Sequence, residues 1–314
     1  MKYFPFIFII FILSTVACEQ VVDVDIPEHE SQLVLSSFYE AGDTKITARL
    51  SKSLAISSSE NPEEVSDATV NFYENDVLIG GLNMQIDTTY YSAFLGLDSL
   101  GYPIYQQVGI NSIIKSYSLE LPAPLETGNI YKITAEATGY KTISATQQLP
   151  QALDILSVSY VPMSRPGMES YLMDALNISL QDIPNEDNYF ELDVFVRNSN
   201  SNDWADEPWR ERWTESFTPG IEHGERVSLI KDDLFEDSSY NVELLFGPDD
   251  TTQLDIKLKI KSISRDKYFF SRSIYAYESA SGNPYFAEPV TVYTNVENGQ
   301  GIFSIENKTE ILIE

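Results

Sequence analysis

The chain has 314 residues, 43% of them apolar and 12% aromatic, and its 48 acidic against 20 basic side chains leave a net charge of −28. That charge excludes a nucleic-acid ligand, which needs clustered positive side chains, and excludes direct attraction to anionic lipid. A single cysteine excludes internal disulfides, so buried apolar cores must supply the stability.

The N-terminus carries an address. Lys2 is the only charge before Cys18, Tyr3 to Leu13 is apolar apart from Pro5, and the small residues Ser14, Thr15, Val16 and Ala17 follow. A positive start, a short apolar core and a small-residue cleavage site predict a secretory signal peptide over residues 1–17. The apolar run falls short of the ~20 residues that cross a bilayer. Cys18 stands at the first position after the predicted cut, where lipoprotein signals place the cysteine that takes a diacylglyceryl group. Lipidation of Cys18 and anchoring to a membrane are therefore expected, although Thr15 occupies a position more often held by Leu. Two or more acyl chains make such an anchor stable. The acidity is spread along the rest of the chain, as expected of a solvated surface.

Most of the remainder reads as short strands with period-two alternation. Gln32 to Phe38 and Lys45 to Leu50 come first. Ala68 to Ile79 predicts a hairpin around Asn75-Asp76, and Ile130 to Thr146 predicts another around Gly139-Tyr140. After Leu149-Pro150-Gln151 a second series runs through Ile155 to Val161, Leu176 to Leu180, Leu192 to Val196 and Val242 to Phe246. In Leu254 to Ile260 the apolar residues point one way, while Asp255, Lys257, Lys259 and Lys261 point the other, the pattern of a sheet with one wet face. From Ser264 the spacing turns helical, with Ser264 as N-cap, Asp266 in the first turn, and Gly282 and Pro284 as the stop. Strands are expected again at Val290 to Val296, Ile302 to Ile305 and Ile311 to Ile313. Ser51 to Glu64 and Asn198 to Asp203 read as loops. The sum is an all-β protein of two β-sandwich domains of immunoglobulin or transthyretin type, residues 18–150 and 151–314. The second carries one α-helix near residues 264–281.

Several ordered stretches then resemble a known family. They begin at Cys18-Glu19, Val24-Asp25-Ile26-Pro27 and Leu33-Val34-Leu35, and continue at Ala48 to Ser53, Val65 to Val70, Gly128 to Ile133, Ala137 to Tyr140 and Leu149-Pro150. The C-terminal stretches are Ile263-Ser264-Arg265-Asp266-Lys267-Tyr268, Asn283 to Val290 and Asn295 to Phe303. Together they resemble the Bacteroidota outer-membrane lipoproteins grouped as domain of unknown function 4249. Residues 84–118 match that pattern poorly and read as a local elaboration. The resemblance implies an outer-membrane location and association with TonB-dependent transporters. It implies no reaction and no catalytic residues.

Catalytic motifs are sparse. His29 and His223 are the only histidines, and neither has a Gly-x-Ser-x-Gly turn beside it. Neither a zinc spacing nor a phosphate loop is present, and no cofactor is expected. Asp232, Asp233 and Asp237, and Asp249, Asp250 and Asp255, could hold calcium, but aspartates bonding their own turn backbone explain them more simply. Trp204, Trp209 and Trp213 fall within ten residues among charged side chains and form a candidate platform for a sugar or a protein partner. The expected function is a non-catalytic binding or accessory subunit of a TonB-dependent uptake system. An anchored glycan hydrolase using a carboxylate pair and a structural or adhesive surface module are the alternatives.

Overall fold

The alternation of β-branched and aromatic residues with polar ones decides the architecture. A computed structural model describes residues 29–313 apart from 56–57, 59, 98–102, 167–171, 182–186, 199–214, 217–220, 224–227, 232–238, 247–253 and 282–289. The strands of the first half are β1 (Leu33–Glu40), β2 (Lys45–Lys52), β3 (Thr69–Glu74), β4 (Val77–Leu97), β5 (Pro103–Glu120), β6 (Ile130–Glu136) and β7 (Ile143–Gln148). Those of the second are β8 (Ile155–Pro166), β9 (Leu172–Gln181), β10 (Tyr189–Asn198), β11 (Glu215–Ser216), β12 (Ile221–His223), β13 (Ser228–Lys231), β14 (Ser239–Phe246) and β15 (Leu254–Ile263). One helix, α1 (Arg265–Ser281), and a last strand, β16 (Gln300–Ile313), complete the described chain. The fold is all-β with one helix, as the periodicity predicts.

Two sheets hold these strands. One runs through both halves in the order β12-β13-β10-β15-β16-β1-β2-β5-β4-β3-β6-β7, and the other is β11-β14-β9-β8. The first half curls back on itself, so that Ser144 of β7 exchanges two backbone hydrogen bonds with Glu297, just ahead of β16. Inside the curl, Tyr39, Phe72, Tyr131 and Phe303 pack ring on ring, with centroids 5.7 to 6.4 Å apart along the chain of contacts. In the second half, Leu176, Ile178 and Leu180 of β9 and Val242 and Leu244 of β14 bury themselves against Phe190, Leu192, Ile256, Leu258 and Ile260.

β16 belongs to both halves. Its first part pairs parallel with β1, from Val34–Gln300 to Glu40–Glu306, and its second part pairs antiparallel with β15, from Ser262–Asn307 to Ile256–Ile313. Phe303 and Ile305 therefore lie in the first core, while Ile313 packs on the second. Sequence periodicity splits this strand in two, and the structure makes it one of 14 residues.

Two expectations need correction. Residues 290–296 form no strand, because their polar groups are taken by neighbours other than a sheet. The Tyr293 N–H donates to Ser273 Oγ of α1 (2.9 Å), and the Asn295 side chain brackets Phe303, donating to its carbonyl (2.8 Å) and accepting from its N–H (3.0 Å). Nor is the lysine face of β15 simply wet. The Lys261 side chain is only 14% exposed, closed in beneath α1.

Candidate functional site

Where the halves meet, the end of β7, the turn through Pro150, the start of β10 and the β15–α1 corner enclose a cleft of about 420 Å³. Its wall is formed by Gly128 and residues 147–151, 187–190 and 262–265. That volume lies in the range that takes a small ligand. Ser264 caps α1, its Oγ accepting the Lys267 N–H at 3.2 Å. Asp266, in the first turn, places a carboxylate at the positive end of the helix. It accepts from Gln147 Nε2 at 2.5 Å and from the Tyr293 hydroxyl at 2.5 Å. Burial and the Asp266 charge push the Tyr293 phenol up to about 12, so it remains a donor. Gln147 is on β7 and Asp266 on α1, so this contact ties the two halves across the floor of the cleft.

The remaining wall is polar and aromatic. Behind the lining, Tyr189 meets Tyr268 at 5.0 Å with the rings tilted by 47°, Phe269 meets Tyr268 edge-on at 5.4 Å, and the Arg265 guanidinium lies 4.7 Å above the Phe269 ring. Gln148 Nε2 donates to the Gly128 carbonyl at 3.1 Å. Ser262 Oγ is buried in this wall without a hydrogen-bond partner, and an orphaned hydroxyl costs about 1–3 kcal/mol until a ligand or water meets it. Among the described residues the wall carries one carboxylate, Asp187. Among the described residues no group of His, Cys, Asp and Glu could hold a metal ion.

Farther along the same strands, on the face that carries Tyr189 and Ile263 and lies under α1, is a charged cluster. Lys261 Nζ lies 2.7 Å from Glu191, 3.3 Å from Asp193 and 3.4 Å from Glu306. From α1, Lys267 Nζ approaches Glu191 at 3.7 Å and stands 5.0 Å over the ring of Phe38, which also meets Phe270 at 6.4 Å. Glu40 of β1 takes Lys259 at 2.9 Å and is also paired with Lys308. Burial alone would lower the Lys261 pKa, but Glu191, Glu306 and Asp193 together raise it above the ordinary lysine value. Two ammoniums, Lys261 and Lys267, face the three carboxylates. Glu306 is the loser: burial raises its pKa, and Lys261 does not fully offset that. Glu40, its partner across the β1–β16 ladder, is lowered instead, because hydrogen bonds and charge from Lys308 and Lys259 outweigh its burial.

The signs of these shifts give a test. A carboxyl whose folded pKa is raised holds its proton more tightly in the folded state, so stability falls as pH rises from the ordinary value of 4.5 through the raised one. Glu306→Gln is therefore expected to flatten the decline that begins as pH rises above the ordinary value of 4.5. Urea unfolding across that pH range measures it, and a slope as steep as that of the unsubstituted chain would refute the assignment.

Of the residues singled out in the sequence, Cys18 and the candidate platform Trp204, Trp209 and Trp213 lie outside the described residues, as do Asp232, Asp233, Asp237, Asp249 and Asp250. His29 is bound through Nε2 to Ser53 Oγ at 3.0 Å, and His223 ends β12. Asp255 forms an ion pair with Arg197 at 2.8 Å. The residues that build the cleft, Gln147, Ser262 and Arg265, carry no motif. Their one signal is the unbroken succession Ile263 to Tyr268, which marks the helix corner.

The model of a domain of unknown function, DUF4249, matches residues 19–311. The chain belongs to the DUF4249 family. The match spans both cores, the cleft and β16, so the DUF4249 unit includes the shared strand that joins the halves. Comparison with curated proteins gives no match. Among solved structures the DUF4249 chain is similar to a cytokine receptor complex at 9% identity, covering 73% of this chain and 89% of that one with a TM-score of 0.22. It is similar to titin domains A168–A170 at 12% identity, covering 75% and 61% with a TM-score of 0.18. A third is the collagen adhesin of S. aureus, at 8% identity, covering 89% and 93% with a TM-score of 0.18. Likenesses this slight carry no argument about function.

Proposed function

We propose that this protein is a lipid-anchored, non-catalytic binding subunit of the outer membrane that serves a TonB-dependent uptake system. The observation that carries the binding reading is the polar cleft at the junction, with the orphaned Ser262 hydroxyl in its wall. Such a wall supplies hydrogen bonds to a ligand. The anchor is supported by the predicted signal peptide over residues 1–17 and by Cys18. The transporter partner is supported by the family resemblance, which is an associational warrant.

Purification from native membranes tests the proposal. A TonB-dependent receptor is expected to accompany the protein, whereas recovery of the protein alone with measurable glycan hydrolysis would overturn the reading. Cys18→Ala is expected to leave the chain soluble or unprocessed. Its normal retention on membranes would remove the anchor from the proposal.

A further inference from the structure

β4 and β5 are much longer than their neighbours, at 21 and 18 residues. β3 pairs with β4 only as far as Leu82, and β2 pairs with β5 only as far as Tyr117. The β4–β5 ladder nevertheless continues from there to Leu97–Pro103. The result is a two-stranded arm with no further strand paired to either edge among the described residues. One face of it continues the first core. Leu82 and Tyr117 are buried, and beyond them Met84, Ile86, Ile113 and Ile110 are 39%, 55%, 51% and 54% exposed. A register shift between Thr89 and Tyr90 sets Ile110 opposite Tyr90, so Ile110 and Ile113 share a face although they are three residues apart. Lys115, which pairs with Ile86, stands on this same face, and the opposite face carries Gln85, Asp87, Ile114 and the hydrogen-bonded pair Thr89–Ser112 (2.7 Å). Across residues 77–118 the only charges are Asp87, Asp98 and Lys115, in a chain of net charge −28. A two-stranded hairpin is marginal in water on its own, and an exposed core-like face on it calls for a cover.

The direction of the arm narrows what that cover is. Leu33 pairs with Lys52, and continuing the β2–β5 register from Ala48–Tyr117 sets Lys52 level with Ile113. The arm thus runs on past the end of β1 at which the chain enters, for roughly 30 Å at ~3.3 Å per residue. From Cys18 to His29 the chain can reach at most ~40 Å, so the anchor lies within that distance of the point where the chain enters β1. We infer that the largely apolar face of the β4–β5 arm docks on a protein embedded in the same membrane as the anchor, through an apolar surface of that protein with an acceptor for Lys115. This rests on the lipid anchor proposed above. Lipid itself fits poorly, because hydrocarbon leaves open strand edges without hydrogen-bond partners. A second copy also fits poorly, because it would bring together two bodies that each carry a net charge of −28.

The test uses the full lipidated protein in its own membranes. A photo-crosslinking residue is placed at Ile86, at Ile113 or, as control, at Val77, which is 65% exposed at the far end of β4. Ile86 and Ile113 are expected to yield an adduct with one and the same integral membrane protein, identified by mass spectrometry, while Val77 yields none. Recovery of that protein is expected to fall at least about tenfold with the pair I86D and I113D, with the melting temperature unchanged. Adducts with a second copy, with lipid alone or with nothing would each overturn the inference. If a TonB-dependent receptor co-purifies equally with and without I86D and I113D, the arm is refuted while the proposed function stands. If none is recovered from either, both fall.

Discussion

Gly301→Ala is expected to destabilise the first core by at least about 4 kcal/mol and to leave little folded protein. Gly301 sits opposite Leu35 in the parallel β1–β16 ladder with φ at +104°, a conformation that L side chains rarely adopt. A Cβ there would lie 1.9 Å from the Leu35 carbonyl oxygen and 3.0 Å or less from its carbonyl carbon and nitrogen. The obstruction is backbone on a strand whose side chain is buried, so no flexible side chain can swing aside. The strands must separate, and with them Phe303 leaves the aromatic stack. Gly42→Ala is the control, since its φ of +87° imposes backbone strain while nothing lies within 4 Å of its Cβ. Its cost is expected to be about 1 kcal/mol. Chemical unfolding of both variants checks the difference, and equal losses would show that strain alone, without the clash, governs Gly301.

Lys261→Met is expected to cost about 3–5 kcal/mol, because it removes the ammonium shared by Glu191 and Asp193, whose side chains are each 5% exposed. The loss should change little with added salt, since buried pairs are screened weakly. Removing the charges together should recover most of it: Lys261→Met with Glu191→Gln and Asp193→Asn leaves a neutral site. Denaturant midpoints for the single and triple substitutions decide the matter, and a triple variant as unstable as the single one would mean that packing, not charge, is what Lys261 supplies. In the unsubstituted protein the raised Lys261 pKa means that its contribution is fully present below the ordinary lysine value of 10.5 and is lost as pH climbs through the raised one.

Much of this molecule is legible in its sequence because strands and helices follow their own periods. The hairpin at Asn75-Asp76 is found from its turn chemistry, and both residues adopt positive φ, 48° and 65°. The helix is found from Ser264, Asp266 and the switch to helical spacing, and α1 begins at Arg265. What periodicity does not encode is which strand lies beside which. The alternation in Leu254 to Ile260 separates the lysines from the core but is silent on Glu191, Asp193 and Glu306, which arrive from β10 and β16 to bury Lys261. The β4–β5 arm is obscured for another reason. A shift at Thr89/Tyr90 and two more beyond it break the period-two pattern wherever the ladder bends. The cleft is the least legible part, since it is made of glutamines, a serine and an arginine whose significance is conferred only by proximity.

The double membership of β16 also dictates an order of events. Val34 finds its strand partner at Gln300, 266 positions later, so the N-terminal core cannot close until nearly the whole chain is present. A polypeptide made or threaded N-terminus first would leave its earliest apolar strands waiting for its last ones, and contacts of such separation slow folding. Until β16 arrives, the edge of β1 is open to any other strand. Loss of the last fifteen residues would thus be felt at both ends of the molecule.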